Sequence, residues 1–267
     1  MKKTFALLMA LSSAAIGAEL KAELKLDGNF SDTCGNLTIG NTDQGITWSD
    51  ESVVAGSDGC ILSANEKAAW NGSFKNVPNK ENFAITLFVN ANELPVGNNS
   101  ANPGWTAQWI LGGGAVANGF PKIGIGLDGQ IKVSLHNVGG GLNSGENNCL
   151  TIGEWYQIGV SLTTVKENDT ATSTWTLFIN GEAVASKKED NLAKFSWANM
   201  SLFEGADSCS SGRFKGYVDD MKFYNVTDAA DAAALMKVEA ARLIPEPTTA
   251  TLSLLALAGL AARRRRK

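Results

Sequence analysis

Aromatic and amide side chains in two glycine-rich stretches are the residues best suited to bind a ligand. The stretches span residues 98–120 and 136–148, and each includes a run of three glycines. An indole ring can stack on the apolar face of a sugar, while amides pair with its hydroxyl groups. The alternative, in which Trp105 and Trp109 both pack in the core, stays open. The candidate ligand-binding residues are Trp105, Trp109, His136, Asn137 and Asn143.

Acidic side chains indicate a second kind of site, for a divalent cation. Asp27 and Asp32 lie in one loop rich in oxygen donors, and Asp219 shares a face with Met221 and Phe223 if its strand is regular. A carboxylate on an apolar face must find hydrogen-bond donors or a cation. Ca²⁺ prefers oxygen ligands, although the loop lacks the EF-hand spacing. We therefore predict Asp27, Asp32 and Asp219 as candidate Ca²⁺ ligands, with a purely structural role for a buried Asp219 as the alternative.

The single histidine, His136, restricts the enzymatic chemistry. One imidazole excludes a histidine-rich metal site and removes most catalytic triads. Neither glycine run has the strand-to-helix setting of a phosphate-binding loop. We therefore assign no catalytic residue.

The elements that must position these residues have the pattern of short β-strands. Residues 83–90, 155–162 and 174–180 alternate apolar and polar side chains, and turn residues separate them. Asp128-Gly129 and Asn180-Gly181 each predict a two-residue type I′ hairpin turn. Two stacked antiparallel sheets would bury the apolar faces without helices.

One helix is predicted after the last strand, within residues 228–243. Thr227 is its expected N-cap, because its hydroxyl can accept a backbone N–H at the start of the helix. The expected apolar stripe should pack on an edge of the sandwich. Its members are Ala234, Leu235, Val238 and Ala241.

Both ends of the chain are interpreted as targeting segments. Residues 1–18 combine two lysines, an apolar stretch and small residues before Glu19, which is typical of a secretory signal peptide. Residues 244–267 contain Pro245, Glu246 and Pro247, then a 15-residue apolar run, which is short for a permanent membrane span. The segment ends in a basic cluster, which holds that end on the cytoplasmic side. The cluster consists of Arg263, Arg264, Arg265, Arg266 and Lys267.

The order of the C-terminal features resembles the PEP-CTERM sorting signal of Gram-negative bacteria. The resemblance implies transient anchoring in the inner membrane and cleavage by an exosortase-type enzyme. Without the two ends, residues 19–244 contain 16 basic and 26 acidic residues, so the net charge falls from −4 to −10. Because such a body repels phosphate backbones, we expect no nucleic-acid partner. Export to the cell surface or the extracellular space is the expected localisation.

Four cysteines lie in the exported part of the chain. An even number in an oxidising compartment favours disulfides, and three connectivities are possible. Four-thiolate metal binding is disfavoured because no C-x-x-C pair exists. We predict the pairs Cys34–Cys60 and Cys149–Cys209.

Three segments together resemble the laminin G-like members of the concanavalin A-like lectin/glucanase superfamily. They are GEWYQIGV at 153–160, WTLFING at 175–181 and FKGYVDDMKFYN at 214–225. The resemblance covers about residues 24–243 of the predicted domain, residues 19–243. It implies an all-β jelly-roll sandwich of two antiparallel sheets with one C-terminal helix. It also implies carbohydrate or protein binding, often with Ca²⁺ at the rim of the sandwich.

The resemblance leaves three functions open. Retaining glycosidases of the superfamily carry a Glu-x-Asp-x-x-Glu strand that places two carboxylates on one face, and this sequence has no such spacing. We therefore expect a non-catalytic domain that binds a glycan or surface polysaccharide, with Ca²⁺ as a potential helper. The alternatives are a structural component of the cell surface or matrix and a glycoside hydrolase.

Overall fold

The computed structural model describes most of the predicted domain. The described residues are 17–40, 46–63, 70–95, 107–113, 121–135, 141–190, 197, 200–203 and 210–243. Within them, no helix is long and apolar enough to cross a membrane. Several predicted residues lie outside this part of the chain: Trp105, His136, Asn137, Cys209, most of the signal peptide, and the sorting residues Pro245, Glu246, Pro247 and Arg263 to Arg266.

The described residues form two stacked β-sheets and one α-helix, which confirms the predicted all-β sandwich. Almost all strand pairs are antiparallel; β15 pairs with β7 in parallel. In chain order the elements are β1 (Glu19–Leu24), β2 (Leu37–Gly40), β3 (Ile46–Ser49), β4 (Cys60–Ser63), β5 (Trp70–Phe74), β6 (Phe83–Ala91), β7 (Ala107–Gly113), β8 (Pro121–Gly126), β9 (Ile131–Leu135), β10 (Gly141–Asn143), β11 (Trp155–Glu167), β12 (Thr170–Ile179), β13 (Glu182–Asp190), β14 (Met200–Leu202), β15 (Ser210–Arg213), β16 (Gly216–Asn225) and α1 (Ala229–Ala240).

The first sheet has the strand order β13-β12-β11-β6-β16-β4-β3, and β1 also pairs with β16. The second sheet has the order β10-β9-β8-β7-β14-β5-β2, and β15 also pairs with β7. Neighbouring strands are therefore often distant in sequence. This arrangement is a jelly-roll sandwich, as the resemblance implies.

The core lies between the two sheets. In β6 the alternate residues Phe83, Ile85, Leu87 and Val89 are fully buried in it, as their spacing predicts. Trp197 fills the space between them and the second sheet. Its ring makes edge-to-face contacts with three phenylalanine rings at centroid distances of 4.8–6.1 Å: Phe74, Phe83 and Phe223.

Helix α1 covers the outward face of the first sheet, not an edge of the sandwich as predicted. A second apolar cluster joins the helix to Ala84, Phe178 and Tyr224 of that sheet. The helix thus covers the outer face of the central strand β6, whose inner face lies in the core, and this explains why the whole of β6 is buried.

Two details of the predicted helix are wrong. The N-cap is Asp228 and not Thr227: the Asp228 side chain accepts a hydrogen bond from the Asp231 N–H at 2.9 Å. Thr227 instead donates its own N–H to the Asp231 carboxylate at 2.9 Å. The buried face is also rotated relative to the predicted stripe, so that Ala234 is exposed. The buried helix residues are Ala232, Leu235, Met236 and Glu239.

One of the two predicted hairpin turns is confirmed. Asn180 and Gly181 have φ values of 50° and 79°, the positive values that a type I′ turn requires. At the other hairpin the Gly129 N–H donates to the Gly126 carbonyl oxygen at 3.0 Å, and Gly129 has a φ of 81°. The loop therefore has three residues, a turn followed by a left-handed glycine, and the predicted two-residue turn at Asp128-Gly129 is wrong.

A β-bulge interrupts β16 at Asp219 and Asp220. Asp219 is paired with Phe88 and Lys222 with Thr86, so β16 has one residue more than β6 in this interval. Asp220 has the left-handed φ of 42° that accommodates the extra residue. The expectation of a regular strand is therefore wrong, because the bulge shifts the phase of Asp219 relative to the apolar residues that follow.

A buried ion network fastens the end of α1 to the first sheet. The Glu239 carboxylate lies 3.2 Å from Lys222 Nζ and 2.9 Å from Arg242 Nη1, and it accepts a hydrogen bond from the Tyr224 hydroxyl at 2.7 Å. Arg242 Nη1 also binds the Asp220 carboxylate. Burial raises the pKa of Glu239, but the two cations and the hydrogen bonds outweigh it and hold the pKa below 4.5.

Among the described residues, Cys34, Cys60 and Cys149 carry free thiols, and no disulfide joins any two of them. Cys34 is exposed in a turn after β1, whereas Cys60 is buried at the start of β4, where it pairs in register with Ser49. The two side chains therefore lie in separate environments, and the Cys34–Cys60 bond is not formed. Cys149 is also free, and its thiol donates to the Glu146 carbonyl oxygen at 3.3 Å. Cys209 lies outside the described residues, so the Cys149–Cys209 pair stays a prediction.

Candidate functional site

One register row across the second sheet contains two of the predicted ligand-binding residues, Trp109 and Asn143, on strands three positions apart. Trp109 of β7 is paired with Gly124 of β8, Gly124 with Lys132 of β9, and Lys132 with Asn143 of β10. The alternate residues of β8, such as Ile123, are in the core, so this row faces outward. We call the outward surface the second-sheet face and define it by Trp109, Lys122, Gly124, Lys132 and Asn143.

Trp109 is buried within this face, because only 3% of the residue is exposed. Its ring is therefore not an exposed surface on which a sugar could stack. Its ring packs over Gly124, where an added Cβ would lie 2.8 Å from the ring, and the Lys122 ammonium lies 5.7 Å from the ring centroid. The indole N–H is buried and has no hydrogen-bond partner among the described residues. A buried N–H without a partner costs about 1–3 kcal/mol, so a ligand oxygen at this position would recover that energy.

The remaining residues of the second-sheet face are polar. Lys122 and Lys132 are 5% and 8% exposed, so their charges are held close to the sheet. Asn143, at the outer end of the row, is exposed, and its side-chain oxygen accepts the Gly145 N–H at 3.2 Å. Buried N–H donors at one end and an exposed amide at the other suit a ligand rich in oxygen acceptors.

Two of the predicted acids, Asp27 and Asp219, meet beside the bulge of β16. The Ser57 hydroxyl lies between them, 2.6 Å from Asp27 Oδ1 and 3.1 Å from Asp219 Oδ1. Ser52 also donates its hydroxyl to Asp219. Asp27 Oδ1 accepts the Gly59 N–H at 3.0 Å as well. The loop that carries both serines therefore joins the two carboxylates.

Asp219 is fully buried in this cluster. The pKa of Asp219 is raised from the ordinary 3.8 to about 7, mainly because the carboxyl group is buried; the hydrogen bonds from Ser52 and Ser57 lower the pKa, and the nearby carboxylates of Asp220 and Asp27 raise it. Among the described residues Asp219 forms no ion pair, since the arginine of the region binds Asp220.

Asp32 has a different role from the other two acids. Its Oδ1 accepts the N–H groups of Glu23 and Cys34 at 2.7 and 3.0 Å, and its Oδ2 accepts those of Asn36 and Leu37 at 2.6 and 2.7 Å. Four backbone donors occupy both oxygens, so Asp32 organises the turn between β1 and β2. The structure thus brings Asp27 and Asp219 together without Asp32, and the described residues contain no cluster of three acidic, histidine or cysteine ligands.

The sequence analysis missed several residues near these two acids. Ser52 and Ser57 carry no motif, and only the fold places them beside a carboxylate 162 or more positions away. Trp48 was also missed. The alternation of Ile46 and Trp48 is only a weak indication of the four-residue strand that carries it. Strand β3 lies at the edge of the first sheet, and this leaves Trp48 partly exposed.

The raised pKa of Asp219 leads to a testable pH dependence. Between pH 3.8 and about 7 the unfolded chain loses the Asp219 proton while the folded protein keeps it. Rising pH therefore lowers the free energy of unfolding through this residue in that window. In EDTA-treated protein, Asp219→Asn should remove this part of the slope measured by urea unfolding at several pH values. The exposed neighbour Asp58 provides the control, Asp58→Asn, and equal slopes for wild type and Asp219→Asn would contradict the prediction.

Comparison with known families agrees with this architecture. The Laminin_G_3 family of the concanavalin A-like lectin/glucanases superfamily matches residues 62–232. The chain therefore belongs to this superfamily, which confirms the resemblance seen in its strands. No curated protein sequence matches the chain.

Solved structures with the same fold include carbohydrate complexes. Domain 4 of AbnA, a GH43 extracellular arabinanase from Geobacillus stearothermophilus, in complex with arabinotriose, is 16% identical over 82% of this chain and 98% of that chain, with a TM-score of 0.53. The ligand-binding domain of botulinum neurotoxin serotype D in complex with N-acetylneuraminic acid is 15% identical over 85% of this chain, with a TM-score of 0.58. The chain spans 52% of that toxin domain. At these identities the likeness shows the fold alone.

Proposed function

We propose that the protein is a non-catalytic domain that recognises carbohydrate on its second-sheet face. The observation that carries the proposal is the Trp109 indole N–H, a buried donor with no partner among the described residues, in one row with Lys132 and Asn143. Two proteins of the same fold bind arabinotriose and N-acetylneuraminic acid, which supports this ligand class.

The proposed binding chemistry uses the donors of the second-sheet face. The Trp109 N–H and the amide of Asn143 pair with sugar oxygens at the two ends of the row. Lys132 contributes a charged donor in the same row. These contacts bind and orient a ligand and involve no bond-breaking step.

A glycan array with the purified protein, followed by calorimetric titration, tests the proposal. Trp109→Phe keeps an aromatic ring and removes the N–H, so we expect at least tenfold weaker binding by the folded variant. Because the side chain is buried, the smaller ring also lowers the thermal midpoint, and binding is therefore measured well below it. Lys166→Ala, at an exposed ion pair far along β11, is the control. Assaying the same glycans for new reducing ends separates the alternatives. Binding without turnover supports recognition, turnover supports a glycoside hydrolase, and neither supports a structural component.

We also propose Ca²⁺ as a structural helper at the Asp27–Asp219 pair. The donor set fits a hard cation, because it consists of two carboxylates, two serine hydroxyls and the Gly59 carbonyl oxygen. Bound Ca²⁺ would supply the positive charge that the buried Asp219 carboxylate lacks. Asp27 and Asp219 would hold the ion, and the serine loop would close over them. Thermal unfolding with Ca²⁺ and with EDTA tests this: the midpoint should rise with Ca²⁺ in wild type and not in Asp219→Asn.

The terminal segments support a proposed route to the cell surface of a Gram-negative bacterium. Residues 1–18 direct export, and residues 244–267 anchor the chain transiently in the inner membrane until an exosortase-type enzyme cleaves it. Intact-mass measurement of the surface form tests both steps. A surface form that retains Arg263 to Lys267 in an exosortase-competent host would contradict the C-terminal step.

A further inference from the structure

Trp48 is the most exposed aromatic residue among those whose side chains the structure describes. It is 39% exposed, at the edge strand β3 of the first sheet. The other exposed large apolar residues are aliphatic and lie on different elements: Leu20, Val77, Ile152 and Val165.

The indole of Trp48 is held in a fixed position. Trp48 is paired with Ile61 in the β3–β4 ladder. Its ring packs against Phe30, with ring centroids 5.0 Å apart and an angle of 57° between the planes. Phe30 in turn packs against the hydrophobic core. A ring fixed in this way loses little conformational entropy when a ligand binds to its exposed surface.

Polar loops adjoin this aromatic pair. Gly59 lies between the Ser49 carbonyl oxygen and Asp27, where an added Cβ would be 3.0 Å from the oxygen and 3.6 Å from the Asp27 Cα. This close approach brings the strand of Trp48 next to the loop of Asp27. Asn29, next to Phe30 in that loop, is exposed, and its side-chain oxygen accepts the Ser31 N–H at 2.7 Å.

We propose that Phe30 and Trp48 form a second carbohydrate subsite, one that stacks an uncharged sugar ring on the exposed indole. The proposal rests on the proposed carbohydrate recognition, and it adds a site on the other sheet. A stable protein interface needs about 800 Å² from each partner, and Trp48 is the one exposed large apolar residue on the described strands β3 and β4, which is too little to supply that area. One sugar ring needs only one aromatic face and nearby polar groups.

The acidic residues around Trp48 favour an uncharged sugar. Asp50, Glu51 and Asp58 are all exposed in the segments that flank Trp48 and Gly59. These carboxylates repel anionic ligands, so a uronic or sialic acid is disfavoured at this subsite. The second-sheet face carries two lysines instead, and the two sites therefore differ in the charge of the ligand they favour.

Titration of the full protein with uncharged oligosaccharides tests the subsite. The probes are cello-, xylo-, arabino- and malto-oligosaccharides, followed by calorimetry and by tryptophan fluorescence. Trp48→Ala should weaken binding of the oligosaccharides that wild type binds at least tenfold, and Trp48→Phe should restore part of it. Val165→Ala, at another exposed apolar residue, is the matched control and should bind as wild type.

The outcomes distinguish this subsite from the proposed function itself. Wild-type affinity in Trp48→Ala, together with weaker binding in Trp109→Phe, overturns the subsite and leaves the second-sheet face intact. Failure of wild type to bind any uncharged oligosaccharide also overturns the subsite. The glycan array includes acidic glycans and therefore tests the proposed function separately. A wild-type dimer that Trp48→Ala converts to a monomer would show that a second copy occupies β3, and this would overturn the subsite as well.

Discussion

Replacing Arg242 by alanine is expected to lower the free energy of unfolding by about 3–5 kcal/mol. The side chain binds the Asp220 carboxylate, lies 2.9 Å from Glu239 and donates to the Ala55 carbonyl oxygen at 3.0 Å. Its guanidinium also lies 5.7 Å from the centroid of the Phe88 ring. Without it, Asp220 stays buried with only Lys222, at 3.5 Å, as a cationic partner. Urea unfolding followed by circular dichroism measures the loss.

Exposed ion pairs provide the control for this prediction. Lys166 and Glu81 form a bridge whose side chains are 62% and 50% exposed, and such pairs contribute about 0–1 kcal/mol. Lys166→Ala should therefore change stability little. Arg242→Lys should recover only part of the loss, because an ammonium cannot reproduce the forked hydrogen bonds of a guanidinium. A loss in Arg242→Ala no larger than that in Lys166→Ala would show that the network does not stabilise the fold.

Trp197→Ala is expected to be about as destabilising, by about 3–5 kcal/mol, for a different reason. The residue is 2% exposed, and its ring fills the space between the sheets against Phe74, Phe83 and Phe223. Truncation would leave a cavity that the rigid strands around it cannot close. Thermal and urea unfolding measure the effect.

The exposed Trp48 is the matched control for Trp197. The same substitution there removes a ring that is 39% exposed, so a much smaller loss of stability is expected from Trp48→Ala. Comparable losses at the two positions would mean that Trp197 does not fill the core as described.

Local chemistry explains which parts of the fold the sequence predicts. The four inward residues of β6 follow from an alternation that any half-buried strand shows, and the type I′ turn at Asn180-Gly181 follows from two residues that tolerate positive φ. The turn at Gly129 was mispredicted because a three-residue loop with a left-handed glycine uses the same Asp-Gly pair. Turn residues thus indicate a hairpin more reliably than its loop length.

The candidate sites depend on contacts that the sequence does not encode locally. The bulge at Asp220 changes the phase of Asp219, and Ser52 and Ser57 reach that carboxylate from a distant loop. The burial of Trp109 depends on the absence of a side chain at Gly124 in the neighbouring strand. An even number of cysteines in an exported chain favours disulfides on average, but pairing also requires close Cβ atoms, and the fold places Cys34 and Cys60 in different environments.

The most direct test of the central claim is calorimetric titration of the purified protein with the glycan that binds best on the array, using wild type and Trp109→Phe side by side. We expect saturable binding by wild type, at least tenfold weaker binding by Trp109→Phe at a temperature where both proteins are folded, and no new reducing ends in either sample. Equal affinity of the two proteins for the glycan would contradict a ligand site on the second-sheet face, and release of reducing ends by wild type would contradict non-catalytic recognition.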